Sequence, residues 1–124
     1  MKASKIPKFN SYACVGDSVT WQVDGFNLTA TLEFDQDSTP FDSDCYSPLK
    51  IKQWQNDEWL YVGVVISVSK NGIEIHDNAA SLWGVDCNYN RRSNRYLSEV
   101  VRELEGEALE VARKKVERML EALQ

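Results

Sequence analysis

The most reactive residue types in this chain meet in one short stretch. Residues 81–90, SLWGVDCNYN, set Trp83, Cys87 and Tyr89 around one Asp and two Asn. A cysteine nucleophile acts as its thiolate and needs a base, usually His, to take the proton. The chain has one histidine, His76, on the polar face of an alternating run. A small enzyme or metal-dependent hydrolase would therefore have to be built from His76 with Cys87 or a nearby Asp, across neighbouring strands. No Gly-rich oxyanion turn or helix start directly follows Cys87, and P-loop, GxGxxG, GxSxG and HExxH patterns are absent. The competing reading is a packed corner. In it Leu82, Trp83 and Val85 pack, Gly84 permits close backbone approach, and Cys87 and Tyr89 fill the gap to the next element.

A second concentration is acidic. Residues 9–49 hold seven carboxylates (Asp17, Asp24, Glu33, Asp35, Asp37, Asp42, Asp44) and no Lys or Arg, in a chain of net charge −5. The run EFDQDSTPFDSDC invites a calcium reading. An EF-hand frame begun at Asp35 meets Pro40 where Gly is required and Tyr46 where a bidentate Glu is required; begun at Asp42, it meets Gln53 at the last ligand position. No metal or other cofactor is expected. The stretch reads as a solvated loop or as a displayed acidic surface that docks on a basic protein groove. Such a field repels phosphates, so no direct contact with nucleic acid is expected, although Arg91, Arg92 and Arg95 could form a small basic spot. Trp54 and Trp59 bracket QNDE beside the acidic run, as interface anchors or as caps on the edge of the core. The candidate partner-binding residues are thus Asp35, Asp37, Asp42, Asp44, Trp54 and Trp59.

At 124 residues with 43% apolar content, the chain is expected to form one domain, 1–124, around one core. The N-terminus is basic without an apolar signal-peptide core, and no run approaches the roughly 18 apolar residues of a membrane span. A cytoplasmic location and no membrane partner are expected. Three cysteines, Cys14, Cys45 and Cys87, lack CxxC or Cys/His spacing and read as reduced thiols, mostly buried.

The elements that must position these residues are legible in the alternation. Val19, Trp21 and Val23 precede Asp24-Gly25; Phe26, Leu28, Ala30, Leu32 and Phe34 follow it, a hairpin placing Val23 opposite Phe26 and Trp21 opposite Leu28. A second hairpin turns at Asn71-Gly72 and would set Val68 opposite Ile75 and Ile66 opposite Asp77. Val64, Ile66, Val68, Ile73 and Ile75 would then share one face. SLWGV is a fifth strand candidate, and residues 35–56 read as a long loop broken by Pro40 and Pro48. Asn94 is an N-cap candidate for a helix whose stripe, Leu97, Val100, Val101 and Leu104, is interrupted by Gly106, as a kink or a break. The stripe resumes with Leu109, Ala112, Val116, Met119, Leu120 and Leu123, and this C-terminal helix could also pair with a second copy as a homodimer. Strands followed by helix give α+β: an antiparallel sheet of about five strands packed by C-terminal helices.

The motifs KIPKFNSY, DGFNLTATLE, NDEWLYVGVVISVSKNGIEI, ASLWGVDCNY and NRYLSEVVRELEGEAL together resemble a family of small proteins carried by bacteriophages, prophages and plasmids. The resemblance spans nearly the whole chain. Relatives often carry a longer Asp-rich insert between Phe34 and Trp54, and commonly read NYPGSDNSYL where this chain has NYNRRSNRYL. It implies a genomic setting and brings no catalytic residue with it. By analogy with other small acidic proteins of mobile elements, it implies a non-enzymatic accessory protein that binds a host protein. A defence nuclease complex is the example, with anti-CRISPR or anti-restriction inhibition as the outcome. A small enzyme on His76 and Cys87, or a phage structural or assembly component, are the alternatives.

Overall fold

Two turns of the same kind organise the sheet. Asp24-Gly25 and Asn71-Gly72 each place both central residues at positive φ (52° and 82°; 52° and 78°), the type I′ geometry that matches the twist of paired strands. The computed structural model describes residues 6–89 and 94–124. β1 (Ser18–Val23), β2 (Phe26–Phe34), β3 (Leu60–Lys70) and β4 (Ile73–Cys87) form one antiparallel sheet in sequence order. A 28-residue helix, α2 (Arg95–Ala122), lies on one face; a short helix, α1 (Pro48–Gln55), lies in the long connection before β3. The fold is α+β, with four strands among the described residues where about five were expected.

The missing strand is the far half of β4. The first hairpin keeps its expected register, Val23 to Phe26 and Trp21 to Leu28. The second does not: Val68 lies opposite His76 and Ile66 opposite Ala80. β4 uses 15 residues against the 11 of β3, and the surplus enters at three bulges. The two irregularities that add a single residue shift which side chains face the core, and the one between Ile66 and Val68 adds two. Alternation is lost across EIHDNAASLW, so one continuous strand reads as two. Ile73, at the turn, is exposed rather than on the core face, and Phe34, at the end of β2, is also exposed.

One apolar cluster joins the sheet to α2. Leu28, Ala30, Leu32, Val62, Val64, Ile66, Val68, Val85 and Cys87 meet Leu97, Val100, Val101, Ala108, Leu109 and Ala112. Two polar bonds fasten the helix at the β1–β2 end: Trp21 Nε1 donates to Glu105 Oε2 at 2.7 Å, and Arg113 pairs with Asp24. α2 runs through Gly106 without a break. A Cβ there would meet nothing within 4 Å, so the glycine sits on an open helix face rather than at a forced bend. At about 1.5 Å per residue α2 is roughly 42 Å long. Its last buried residue is Ala112, and Met119, Leu120 and Leu123 are exposed.

Asn94 precedes α2, but its side chain makes no cap hydrogen bond. Its Oδ1 accepts the Asn88 amide at 2.9 Å, and its Nδ2 donates to Asn88 Oδ1 at 2.8 Å and to the Ser11 carbonyl at 3.0 Å. Asn88 in turn pairs with the backbone of Ala13 in both directions, at 3.0 and 2.8 Å. A buried amide able to both give and accept mimics one rung of a sheet. The two asparagines thereby stitch the segment before β1 to the β4–α2 junction.

The expected loop 35–56 contains the α1 helix. Pro48 begins that helix instead of breaking it, because the first helical residue needs no amide donor. Ser47 Oγ accepts the Lys50 amide at 3.2 Å as the N-cap. Behind α1, on the sheet face opposite α2, Tyr46, Trp59, Tyr61 and Tyr89 stack and abut with centroid separations of 5.0 to 5.8 Å.

Candidate functional site

The Cys87 and His76 pair is dismantled by the strand they share. Cys87 lies opposite Leu60 and His76 opposite Val68, toward opposite ends of β4. Eleven residues of β-strand, even shortened by bulges, separate them by roughly 30 Å. Cys87 is fully buried; burial, with smaller contributions from nearby Cys14, Asp86 and Asp17, pushes its thiol up to about 11. At neutral pH it is a protonated core residue whose weak contact is with the Ala13 carbonyl. His76 Nδ1 accepts the Asn78 amide at 3.0 Å, a local bond within the irregular stretch of β4. All three cysteines are free, but Cys14 and Cys45 are exposed, contrary to the expectation of mostly buried thiols. Among the described residues no three His, Cys, Asp or Glu side chains are placed to hold a metal ion.

The acidic segment divides into engaged and displayed carboxylates. Asp24 pairs with Arg113, and Asp17 accepts the Cys14 amide at 2.9 Å. Asp35, proposed as a docking residue, is buried. Its Oδ2 accepts the Gly84 amide at 2.7 Å and Ser38 Oγ at 2.8 Å; its Oδ1 accepts the amides of Asp37 and Ser38. Burial opposes its ionisation, yet the bonds from Ser38, Asp37 and Gly84 outweigh it and hold the carboxyl below its ordinary range. Asp35 is a structural clamp. Asp37, Asp42 and Asp44 are exposed, as is Glu33; Asp42 receives a long bond from Thr39 Oγ1 at 3.4 Å.

The two tryptophans also part. Trp59 is 1% exposed, its Nε1 donating to the Lys50 carbonyl at 2.9 Å, so it belongs to the aromatic cluster and not to an interface. Trp54 is half-buried, edge-on to exposed Phe41 at 5.8 Å. In the same cluster Lys50 Nζ donates to the Tyr89 carbonyl at 2.9 Å and sits 4.3 Å from its ring centre. Asp86 is raised above the usual carboxylate range by burial, partly offset by Lys50. Tyr61 is likewise raised, by burial and then by its hydrogen bond with Tyr46.

The tertiary structure offers a different anchor, Trp83, expected to be packed. The bulge between Val62 and Val64 sets two β4 residues, Trp83 and Gly84, against Gly63. Gly84, at φ 72°, turns the strand and gives its amide to Asp35. A Cβ on Gly63 would lie 2.3 Å from Trp83 Cε3 and 2.5 Å from Cδ2 and Cζ3. Near-equal distances to three consecutive ring atoms mean that the indole lies face-down on Gly63. The residue is 46% exposed, so part of the ring turned away from Gly63 meets the groove and solvent. Trp83 and Gly84 line a groove of about 570 Å³ with Phe34, Asp35, Gln36, Asp37 and Ser38. Phe34 is 58% exposed. The sequence signal for this site was Gly63 within an otherwise β-branched run, the mark of close approach to a strand.

Of the basic spot, Arg91 and Arg92 lie outside the described residues, and Arg95 is exposed at the start of α2. Among the described residues no helix is long and apolar enough to cross a membrane. Compared with family profiles, curated proteins and solved structures, the chain shows no match, so its site stands on its own geometry.

Proposed function

We propose that this chain is a non-enzymatic accessory protein that binds a basic surface of another protein through the groove at Trp83 and the acidic loop beside it. The carrying observation is an indole held flat on Gly63 and partly exposed on its other side, next to exposed Phe34 and Asp37. Half-exposed aromatics held rigidly lose little freedom on binding, and carboxylates around them select a cationic partner. The acidic balance of residues 9–49 supports that partner class and disfavours nucleic acid. The resemblance to mobile-element proteins supports a host protein in a bacterial cytoplasm, with a defence nuclease complex as the instance to examine first.

The test compares wild-type chain with D37K/D42K/D44K as bait in a bacterial lysate, with bound proteins identified by mass spectrometry. A partner held by the wild type and lost by the variant, at unchanged melting temperature, is the expected result. Equal capture by both rejects the surface. A second reading, an assembly component, has the exposed apolar stripe of α2 in its favour; concentration-dependent oligomers in sizing chromatography, abolished by Leu120→Glu, would support it.

A further inference from the structure

We infer that the groove at Trp83 is an arginine subsite: the exposed side of the indole receives a guanidinium from the partner, and Asp37 pairs with it. The inference rests on the docking reading and names the side chain that the surface takes. One face of Trp83 lies against Gly63, so the ring cannot sink further toward β3. Its exposed side is a flat π surface. A planar, weakly hydrated cation suits such a surface; a compact ammonium, strongly hydrated, suits it less.

The charges around the ring agree. Glu33 lies directly opposite Gly63 in the β2–β3 register, and paired residues project to the same side of a sheet. Its exposed carboxylate therefore flanks the position that Trp83 covers. On the other side, Asp37 lines the groove, and its carboxylate has no hydrogen-bond or ion-pair partner among the described residues. Asp35 cannot serve, since its oxygens are occupied by Gly84, Ser38 and Asp37 amides and the Ser38 hydroxyl. That clamp instead fixes the loop carrying Asp37 at its distance from the ring. No Lys or Arg lies between residues 9 and 49 to fill the site from within this segment.

The test uses the full chain titrated calorimetrically with capped hexa-arginine, hexa-lysine and hexa-citrulline peptides at constant ionic strength. Expected is hexa-arginine binding about threefold to tenfold tighter than hexa-lysine, and no binding of the uncharged citrulline peptide. Trp83→Leu should erase the arginine preference, weakening hexa-arginine binding more than hexa-lysine binding, and Asp37→Asn should weaken both. Melting temperatures check that each variant is folded. Equal affinity for the two cationic peptides, or a preference that survives Trp83→Leu, overturns the subsite. If lysate capture still depends on the aspartates in that case, acidic docking stands and only the arginine assignment falls.

Discussion

The Asp35 carboxylate accepts the Gly84 amide at 2.7 Å, tying the loop after β2 to the bulge of β4 across the β3 strand. One residue thus joins the loop wall of the groove to the strand that carries Trp83. Asp35→Ala would leave the amides of Asp37, Ser38 and Gly84 to find water, at a cost of about 2–3 kcal/mol. Denaturant unfolding should report that loss together with a red shift in tryptophan emission.

The same clamp is sensitive to acid. Its folded-state pKa lies below the ordinary 3.8, so it contributes stability above that pH and loses it as pH falls through the lowered value. The stability difference between wild type and Asp35→Asn should therefore be full at pH 6 and shrink below about pH 3.8. A difference constant down to acid unfolding would contradict the clamp.

Gly63 and Trp83 are expected to be coupled. A Cβ at residue 63 would lie 2.3 Å from the indole, so Gly63→Ala must lift the ring, costing roughly 1–3 kcal/mol. In a Trp83→Ala background the same change should be close to neutral, since the clash is gone. A double-mutant cycle checks this; additive effects would mean the ring is not seated on Gly63.

At high pH the order of sign reverses. The Cys87 thiol is raised from 9.0 to about 11 by burial, and Tyr61 and Tyr89 are raised by burial as well. The unfolded chain gives up these protons first, so stability should fall as pH rises above about 9. In the folded chain iodoacetamide should modify Cys14 and Cys45, and reach Cys87 only after denaturant is added. Rapid labelling of native Cys87 would reopen the nucleophile reading.

The two ends of α2 should differ sharply. Leu97 and Val101 are fully buried, and Leu97→Ala should cost about 2–5 kcal/mol. Leu123→Ala should cost well under about 1 kcal/mol, because that side chain is already 82% exposed in the isolated chain. Thermal melts of the two variants at low concentration make the comparison.

The α+β class, the two I′ hairpins and the buried stripe of α2 as far as Ala112 were readable from residue order alone, whereas the continuation of that stripe to Met119, Leu120 and Leu123 is exposed. Each is a local effect: Asp-Gly and Asn-Gly tolerate positive φ, and periods of 2 and 3.6 residues mark which face meets the core. The alternation from Val19 to Leu32 even supplied the correct β1–β2 register. Where local signals competed, the reading went astray. Pro48 marks a helix start as readily as a break, and Asn94 found better partners across the fold than the helix amides beside it.

The site itself was decided in three dimensions. Seven acidic residues look alike along the chain, yet Asp24 meets Arg113 and Asp35 meets Gly84, leaving Asp37, Asp42 and Asp44 displayed beside Glu33. Trp59 and Trp83 are equally apolar in the sequence. Trp59 donates to a carbonyl of α1, a helix capped by Ser47, and is fully buried, whereas Trp83 is left half open by bulges that only pairing with β3 can place. Charge sum and hydropathy are properties of the chain; which charges are spent on partners, and which rings keep a free face, depends on contacts between residues 20 to 89 positions apart, and those exist only once the sheet and helix have met.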